Sequence, residues 1–133
     1  MRMKKVIAST FVLLLSGMLL HVQAQEDVIK SLKAGFKSGS VYEISNYLSP
    51  RTEIAFEGDK EIFQKDKAEQ ILKDFFTQNK PKDFQVLHQG ASKEGLKFYI
   101  GELLSSSGTY RVLVYLRTKG DKSLIETIDI SKE

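Results

Sequence analysis

Four side chains that could take part in acid–base chemistry lie on the predicted strands of the C-terminal half: His88, Glu102, Tyr110 and Glu126. Each has the same strand parity as the apolar residues around it, and side chains on a strand alternate between the two faces of a sheet. We therefore predict that they share the inner face, with Phe76 of a preceding helix as a fifth member of a candidate pocket. A carboxylate in an apolar pocket beside a tyrosine suits proton transfer next to a carbonyl group.

A plainer interpretation of these residues stays open. Each lies near the end of a predicted strand, where the inner face already meets solvent, and a β-bulge would turn its side chain to the other face. We therefore assign no catalytic residue. The pocket, if it forms, predicts a small apolar ligand as partner.

Several other kinds of site are excluded by composition. His88 is the single histidine after residue 24, since His21 lies in the N-terminal segment, and the chain has no cysteine. A zinc site needs several nitrogen or sulfur ligands, so no metal is predicted. The serines at 105–107 read as a hairpin loop, because they lack the Gly-x-Ser-x-Gly pattern of a nucleophile elbow. Phosphate-binding glycine loops and dinucleotide fingerprints are absent as well, and no cofactor is expected.

The N-terminal segment is typical of a secretory signal. Basic residues at positions 2, 4 and 5 precede an apolar run over 6–20, and Val22-Gln23-Ala24 has the small-polar-small pattern of a cleavage site. An uncleaved anchor is the alternative, but the apolar run is shorter than the ~20 residues that span a bilayer. We predict that residues 1–24 are removed and that 25–133 form one exported domain, periplasmic or secreted, without a membrane anchor.

Cleavage would change the charge of the protein. Three of the 20 basic residues lie before residue 25 while all 17 acidic ones follow it, so residues 25–133 hold 17 of each. The basic sequence pI of about 9.0 therefore belongs to the signal. Nucleic acid is not predicted as a partner, because no excess of positive charge remains to attract it.

Hydrophobic spacing predicts three helices in the N-terminal half. The first covers "EDVIKSLKAGFKSGS", whose apolar residues recur at helical spacing. The second is short, begins with a capping box formed by Ser40 and Glu43, packs through Leu48, and is stopped by Pro50. The third covers "DKAEQILKDFF", with Asp66 as its cap and one strongly apolar side.

The remaining segments alternate as strands do. "RTEIAFEGDKEIF" predicts a hairpin, and four strands follow Lys80, joined by loops rich in glycine, serine and lysine. Consecutive strands with short loops assemble as an antiparallel meander. The class is therefore α+β, with three helices packed on a curved, four-to-six-stranded antiparallel sheet.

The other face of this sheet carries more apolar residues than a solvent-exposed face should have. Tyr99, Leu103, Leu113 and Tyr115 stand there among lysines and arginines. Aromatic and aliphatic residues beside arginine are typical of a protein interface, so these four residues form a candidate homodimer face. An outer face covered only by loops and by the stems of long side chains is the alternative.

The order of elements resembles the nuclear transport factor two-like fold, also grouped as cystatin-like, in which a bent sheet wraps a long helix. More narrowly, "DKAEQILKDFF", "FQVLHQG" and "GTYRVLVYL" look like a bacterial exported family known only as domain of unknown function 4783. The resemblance implies a cone-shaped fold and an exported location, with no activity attached. Isomerases that share the fold carry their chemistry between the helices and the concave face of the sheet.

The sequence thus predicts an exported, non-enzymatic binding or interaction module of the cell envelope. The alternative is a protein that binds a small molecule through the candidate pocket residues and acts as an isomerase or a cyclase.

Overall fold

The computed structural model describes residues 25–92 and 95–133. The predicted signal at 1–24 lies outside the described residues. Helix α1 covers 25–38, and the other elements are α2 Val41–Ser45, β1 Leu48–Phe56, β2 Asp59–Gln64, α3 Lys65–Gln78, β3 Pro81–Ala91, β4 Leu96–Ser105, β5 Gly108–Lys119 and β6 Lys122–Lys132.

The six strands form a single sheet in the order β2-β1-β6-β5-β4-β3. Strands β3 to β6 follow one another as the predicted antiparallel meander, and β1 and β2 form the predicted hairpin. Strand β1 pairs with β6 in parallel, so the sheet is mixed rather than wholly antiparallel. The α+β class is confirmed. The parallel pair was not predicted, because it joins two strands at opposite ends of the domain.

The second helix is shorter than predicted. It ends at Ser45, and its cap Ser40 makes no side-chain hydrogen bond to the helix. Leu48 is the first residue of β1 and not a helical residue; it lies opposite Ile125 and is buried. Pro50 lies within β1, where the pairing with β6 is irregular between residues 48 and 53. An irregular stretch tolerates proline because no ladder hydrogen bond needs its missing N–H.

The strongly apolar side of α3 covers a filled core. Its buried residues are Ala68, Leu72, Phe75 and Phe76. Phe76 meets Phe36 of α1 edge to face at 5.4 Å between ring centroids, and Phe36 stacks on Phe84 of β3 at 5.0 Å. Such aromatic contacts add to the free energy gained by burial. The space between the helices and this part of the sheet is therefore occupied by side chains.

The start of α3 also differs slightly from its prediction. The helix begins at Lys65 with Gln64 as its cap, and Asp66 accepts a hydrogen bond only from the adjacent Lys67 N–H, at 2.9 Å. The Glu69 carboxylate accepts a hydrogen bond from the Ser45 hydroxyl. It therefore joins α3 to α2.

The inner face of the sheet, which the helices cover, does not keep one parity along the chain. Strand β5 has the predicted inner residues Val112, Val114 and Leu116. In β4 the buried residues are the odd-numbered ones, so the prediction for that strand is wrong by one position. The register also shifts between Val86 and His88 in β3 and near Thr127 in β6. Each shift turns the following side chains to the other face.

Candidate functional site

Two of the five candidate pocket residues lie on the helix side of the sheet. Phe76 is buried in the core, as described above. Tyr110 packs edge to face on Phe75 at 5.3 Å between ring centroids, and its hydroxyl donates to Asn79 Oδ1 at 2.9 Å. Asn79 Oδ1 also accepts from the Ser107 hydroxyl. Tyr110 therefore ties the end of α3 to the β4–β5 hairpin.

The register places His88 and Glu102 on the outer face, away from the helices, and Glu126, which the register skips, reaches that face through Arg117. Glu126 accepts from Arg117 Nε at 2.5 Å. Glu102 lies opposite Arg111, and His88 lies exposed opposite Ile100. The structure does not bring the five residues together. The inner-face prediction failed for these three because β4 has the opposite parity and bulges shift β3 and β6.

The candidate dimer face divides in the same way. Leu113 and Tyr115 lie on the outer face and are half-buried, as their parity predicted. Tyr99 and Leu103 lie instead on the inner face, where both are buried in the core. The outer-face positions predicted for Tyr99 and Leu103 are occupied instead by Phe98 and Ile100. In the register, Phe98 pairs with Tyr115 and Ile100 pairs with Leu113.

An apolar surface, the outer patch, crosses β4, β5 and β6 on this side of the sheet. The Phe98 ring lies over Gly90 of the neighbouring strand, where an added Cβ would come within 2.6 Å of its Cζ. The same ring meets Tyr115 at 6.4 Å between centroids. The six members of the patch are half-buried: Leu96, Phe98, Ile100, Leu113, Tyr115 and Leu124.

Both ends of the outer patch carry an arginine beside a carboxylate. At the β5–β6 hairpin Arg117 pairs with Glu126, and the two side chains are 33% and 35% exposed. At the opposite end Arg111 Nε lies 3.7 Å from Glu133 Oε1, with Glu102 across from it on β4. The patch is thus apolar in the middle and mixed in charge at its two ends.

A second concave surface, the α1 groove, lies on the inner side where the N-terminal half of α1 crosses β3 and β4. It has a volume of about 410 Å³. Burial raises the pKa of the Tyr99 hydroxyl, since the charged phenolate would lose solvation. The groove is lined by Gln25, Glu26, Ile29, Lys30, Lys33, Gln89 and Tyr99.

No group of three or more histidine, cysteine, aspartate or glutamate side chains within 25–92 and 95–133 is arranged to hold a metal ion. In that same part of the chain, no helix combines the length and the apolar character needed to cross a membrane.

A family profile described as "Domain of unknown function (DUF4783)" matches residues 29–131. The chain belongs to this family. A DUF4783 protein of known crystal structure from Bacteroides ovatus is 34% identical, with a TM-score of 0.73 and an alignment that covers 77% of this chain and 93% of that one. A second, from Bacteroides fragilis, is 31% identical, again with a TM-score of 0.73, and the alignment covers 77% and 96%. No curated protein matches the chain.

More distant structures share the fold of this DUF4783 domain. A domain with a cystatin-like fold from Nostoc punctiforme is 10% identical, with a TM-score of 0.64 over 85% of this chain and 77% of that one. The fold and family resemblances drawn from the sequence are confirmed. At this identity the likeness concerns the backbone alone and carries no activity with it.

Sequence reasoning missed two features of the DUF4783 domain. By placing Glu102 on the inner face, strand parity also put Phe98 and Ile100 there, and nothing connected Tyr99 with α1. A signal for the first was present in Gly101, since a glycine inside a strand often marks a close approach by another group. Here that group is the Phe84 ring, and its position identifies the odd-numbered face of β4 as the inner one. No signal in the sequence points to the α1 groove.

Proposed function

We propose that the protein is an exported interaction module of the cell envelope and that the outer patch binds a second copy of the chain. The observation that carries the proposal is the uncovered apolar centre of the outer face, with Phe98, Ile100, Leu113 and Tyr115 side by side. A proton-transfer enzyme is not proposed, because Glu102 and Glu126 lie on the outer face of the sheet and Tyr110 lies on the inner face.

The composition of the outer patch supports a protein partner. Aromatic residues and arginine are enriched at protein interfaces, and charged residues are depleted from their centres. An antiparallel sheet with one face in water normally alternates apolar and polar residues more cleanly than β4 and β5 do. Covering the patch would remove from water four large side chains that none of the described helices reaches, a favourable transfer for each.

The placement of charge supports a second copy as the partner. Arg111 and Arg117 flank Leu113 and Tyr115 on the same face of β5. A two-fold axis that lies between the two sheets, parallel to them and perpendicular to β5 at the level of Val114, brings the Arg111 end of one copy over the Arg117 end of the other. Because each end holds both an arginine and a carboxylate, each arginine can face a carboxylate of its partner. A two-fold interface requires this self-complementarity.

Native mass spectrometry of the protein purified from its own envelope fraction tests the proposal. We expect a subunit mass that corresponds to residues 25–133 and a complex of twice that mass. In a recombinant chain, Leu113→Glu should give a monomer, because it puts an unpaired carboxylate at the apolar centre of the interface. Leu87→Glu is the matched control, since Leu87 is 50% exposed on the edge strand β3 and lies outside the patch.

Three results would count against the proposal. A wild-type monomer at all concentrations in sedimentation equilibrium would remove the dimer, and a dimer that survives Leu113→Glu would place the interface elsewhere. A subunit that retains residues 1–24 would contradict the predicted cleavage.

A further inference from the structure

We propose that the α1 groove binds a small organic carboxylate, whose oxygens accept hydrogen bonds from the Tyr99 hydroxyl and the Gln89 amide while Lys30 and Lys33 provide the positive field. This site lies on the opposite side of the sheet from the outer patch, and the two proposals stand or fall separately.

The Tyr99 hydroxyl is the observation from which the proposal starts. The residue is only 9% exposed, it lines the groove, and its hydroxyl forms no hydrogen bond with any described residue. None of the described side-chain polar atoms is both fully buried and unpaired, so this hydroxyl is open to the groove. The other inner-face tyrosine, Tyr110, has Asn79 as its acceptor. A tyrosine on the wall of a groove can pack its ring in the core and still donate its hydroxyl hydrogen to a bound acceptor. A ligand in the groove would accept the hydrogen bond that the Tyr99 hydroxyl can donate.

The neighbours of Tyr99 determine which acceptor fits. Gln89 lies directly opposite Tyr99 in the β3–β4 register, and its side-chain amide is a second donor on the same wall. On the facing helix, Lys30 and Lys33 line the groove and form no ion pair with residues of the described chain. Glu26 is the one carboxylate in the lining, so the groove keeps a positive balance.

These groups match a monoanion with an apolar body. A carboxylate accepts hydrogen bonds at two oxygens, and such bonds are stronger when the acceptor is charged. A tyrosine hydroxyl is protonated at neutral pH, and burial raises the pKa of Tyr99 further, so this hydroxyl can donate. The Ile29 side chain and the Tyr99 ring offer apolar contact to the rest of the ligand. A volume of about 410 Å³ lies within the usual range for small-molecule sites.

Hexanoate and its uncharged counterpart hexanamide are the probes for this site. In a titration followed by amide NMR, hexanoate should shift the signals of Lys30, Lys33 and Gln89, and hexanamide should bind more weakly. A tyrosine label at the ring carbon that bears the hydroxyl gives a second measurement in the unaltered protein. Hexanoate should raise the pKa of Tyr99, since a bound anion disfavours the phenolate.

Two variants distinguish a loss of the hydroxyl's hydrogen bond to the ligand from a general disturbance of the fold. Tyr99→Phe keeps the ring and should weaken hexanoate binding about tenfold, as expected for the loss of a hydrogen bond to a charged group. Tyr110→Phe removes a hydroxyl outside the groove and should leave the affinity unchanged. The proposal is overturned if the groove signals do not respond, if hexanamide binds as well as hexanoate, or if both variants bind like the wild type.

Discussion

Each face of the sheet has a strand glycine that makes room for a phenylalanine ring from the neighbouring strand, but the two rings differ in burial. On the inner face Gly101 leaves room for the Phe84 ring, whose Cζ would lie 2.4 Å from an added Cβ; on the outer face Gly90 does the same for Phe98, at 2.6 Å. Phe84 is then stacked on Phe36 and buried beneath the helices. Phe98 lies over Gly90, meets the Tyr115 ring and stays half-buried. The helices, which cover one face only, make the difference: the inner ring stabilises the fold, and the outer ring remains available to a partner.

The largest expected loss of stability comes from removing a ring on the inner face. Phe36→Ala should lower the free energy of unfolding by about 3 to 5 kcal/mol, because it removes a fully buried ring and leaves a cavity between Phe76 and Phe84. Phe98→Ala is the matched change on the outer face and should cost about 1 kcal/mol in the monomer, since that ring is half-exposed. Urea unfolding at low protein concentration measures both. Equal losses would mean that the outer face is as tightly covered as the inner one.

The next effect tests the two glycines directly. Gly101→Ala should destabilise the domain by about 1 to 3 kcal/mol, because Phe84 has no free space to move into and the Gln85 carbonyl oxygen lies 3.0 Å from the new Cβ. Gly90→Ala should cost less than about 1 kcal/mol, since the free end of the Phe98 ring can turn toward solvent. Thermal unfolding of both variants would show the order. A larger loss for Gly90→Ala would contradict the difference in cover between the faces.

The smallest expected loss of stability concerns the two inner-face tyrosines. Tyr110 lies where the inner face is filled by side chains, and Tyr99 lies where it opens into the α1 groove. Tyr110→Phe should lower the free energy of unfolding by about 1 kcal/mol, the usual value of one hydrogen bond. Tyr99→Phe should stay within about 0.5 kcal/mol of the wild type, because its hydroxyl has no partner to lose. Chemical unfolding of the pair measures this. A comparable loss in both would show that Tyr99 is satisfied within the chain, which would weaken the carboxylate proposal.

Regular local patterns were the predictable part of this protein. The spacing of apolar residues in "DKAEQILKDFF" identified α3, and alternation with turn residues identified the hairpin and the meander. Leu48 shows where such patterns fail. Its spacing from Ile44 fits a helix, but the residue gains the same burial as the start of β1, so periodicity alone could not distinguish the two.

The candidate sites depended on strand parity and were predicted less well. Parity was read from isolated strands, and a single bulge or a misplaced start reverses every side chain that follows. Leu113 and Tyr115 were placed on the outer face as the structure has them, because β5 is regular through them. Tyr99 and Glu102 were exchanged between faces, because the alternation in β4 is apolar on both sides.

The sequence by itself determined the α+β class, the three helices and the β3 to β6 meander, since these follow from local spacing and turn chemistry within short segments. The family was reached through a resemblance, and the parallel pairing of β1 with β6 came only from the tertiary structure. Only the tertiary structure decided which face each side chain of β3, β4 and β6 occupies, because that depends on bulges and on pairing with neighbouring strands. It also decided that Tyr99 and Gln89 come to face Lys30 and Lys33. Residues so far apart along the chain meet only when the helix packs on the sheet.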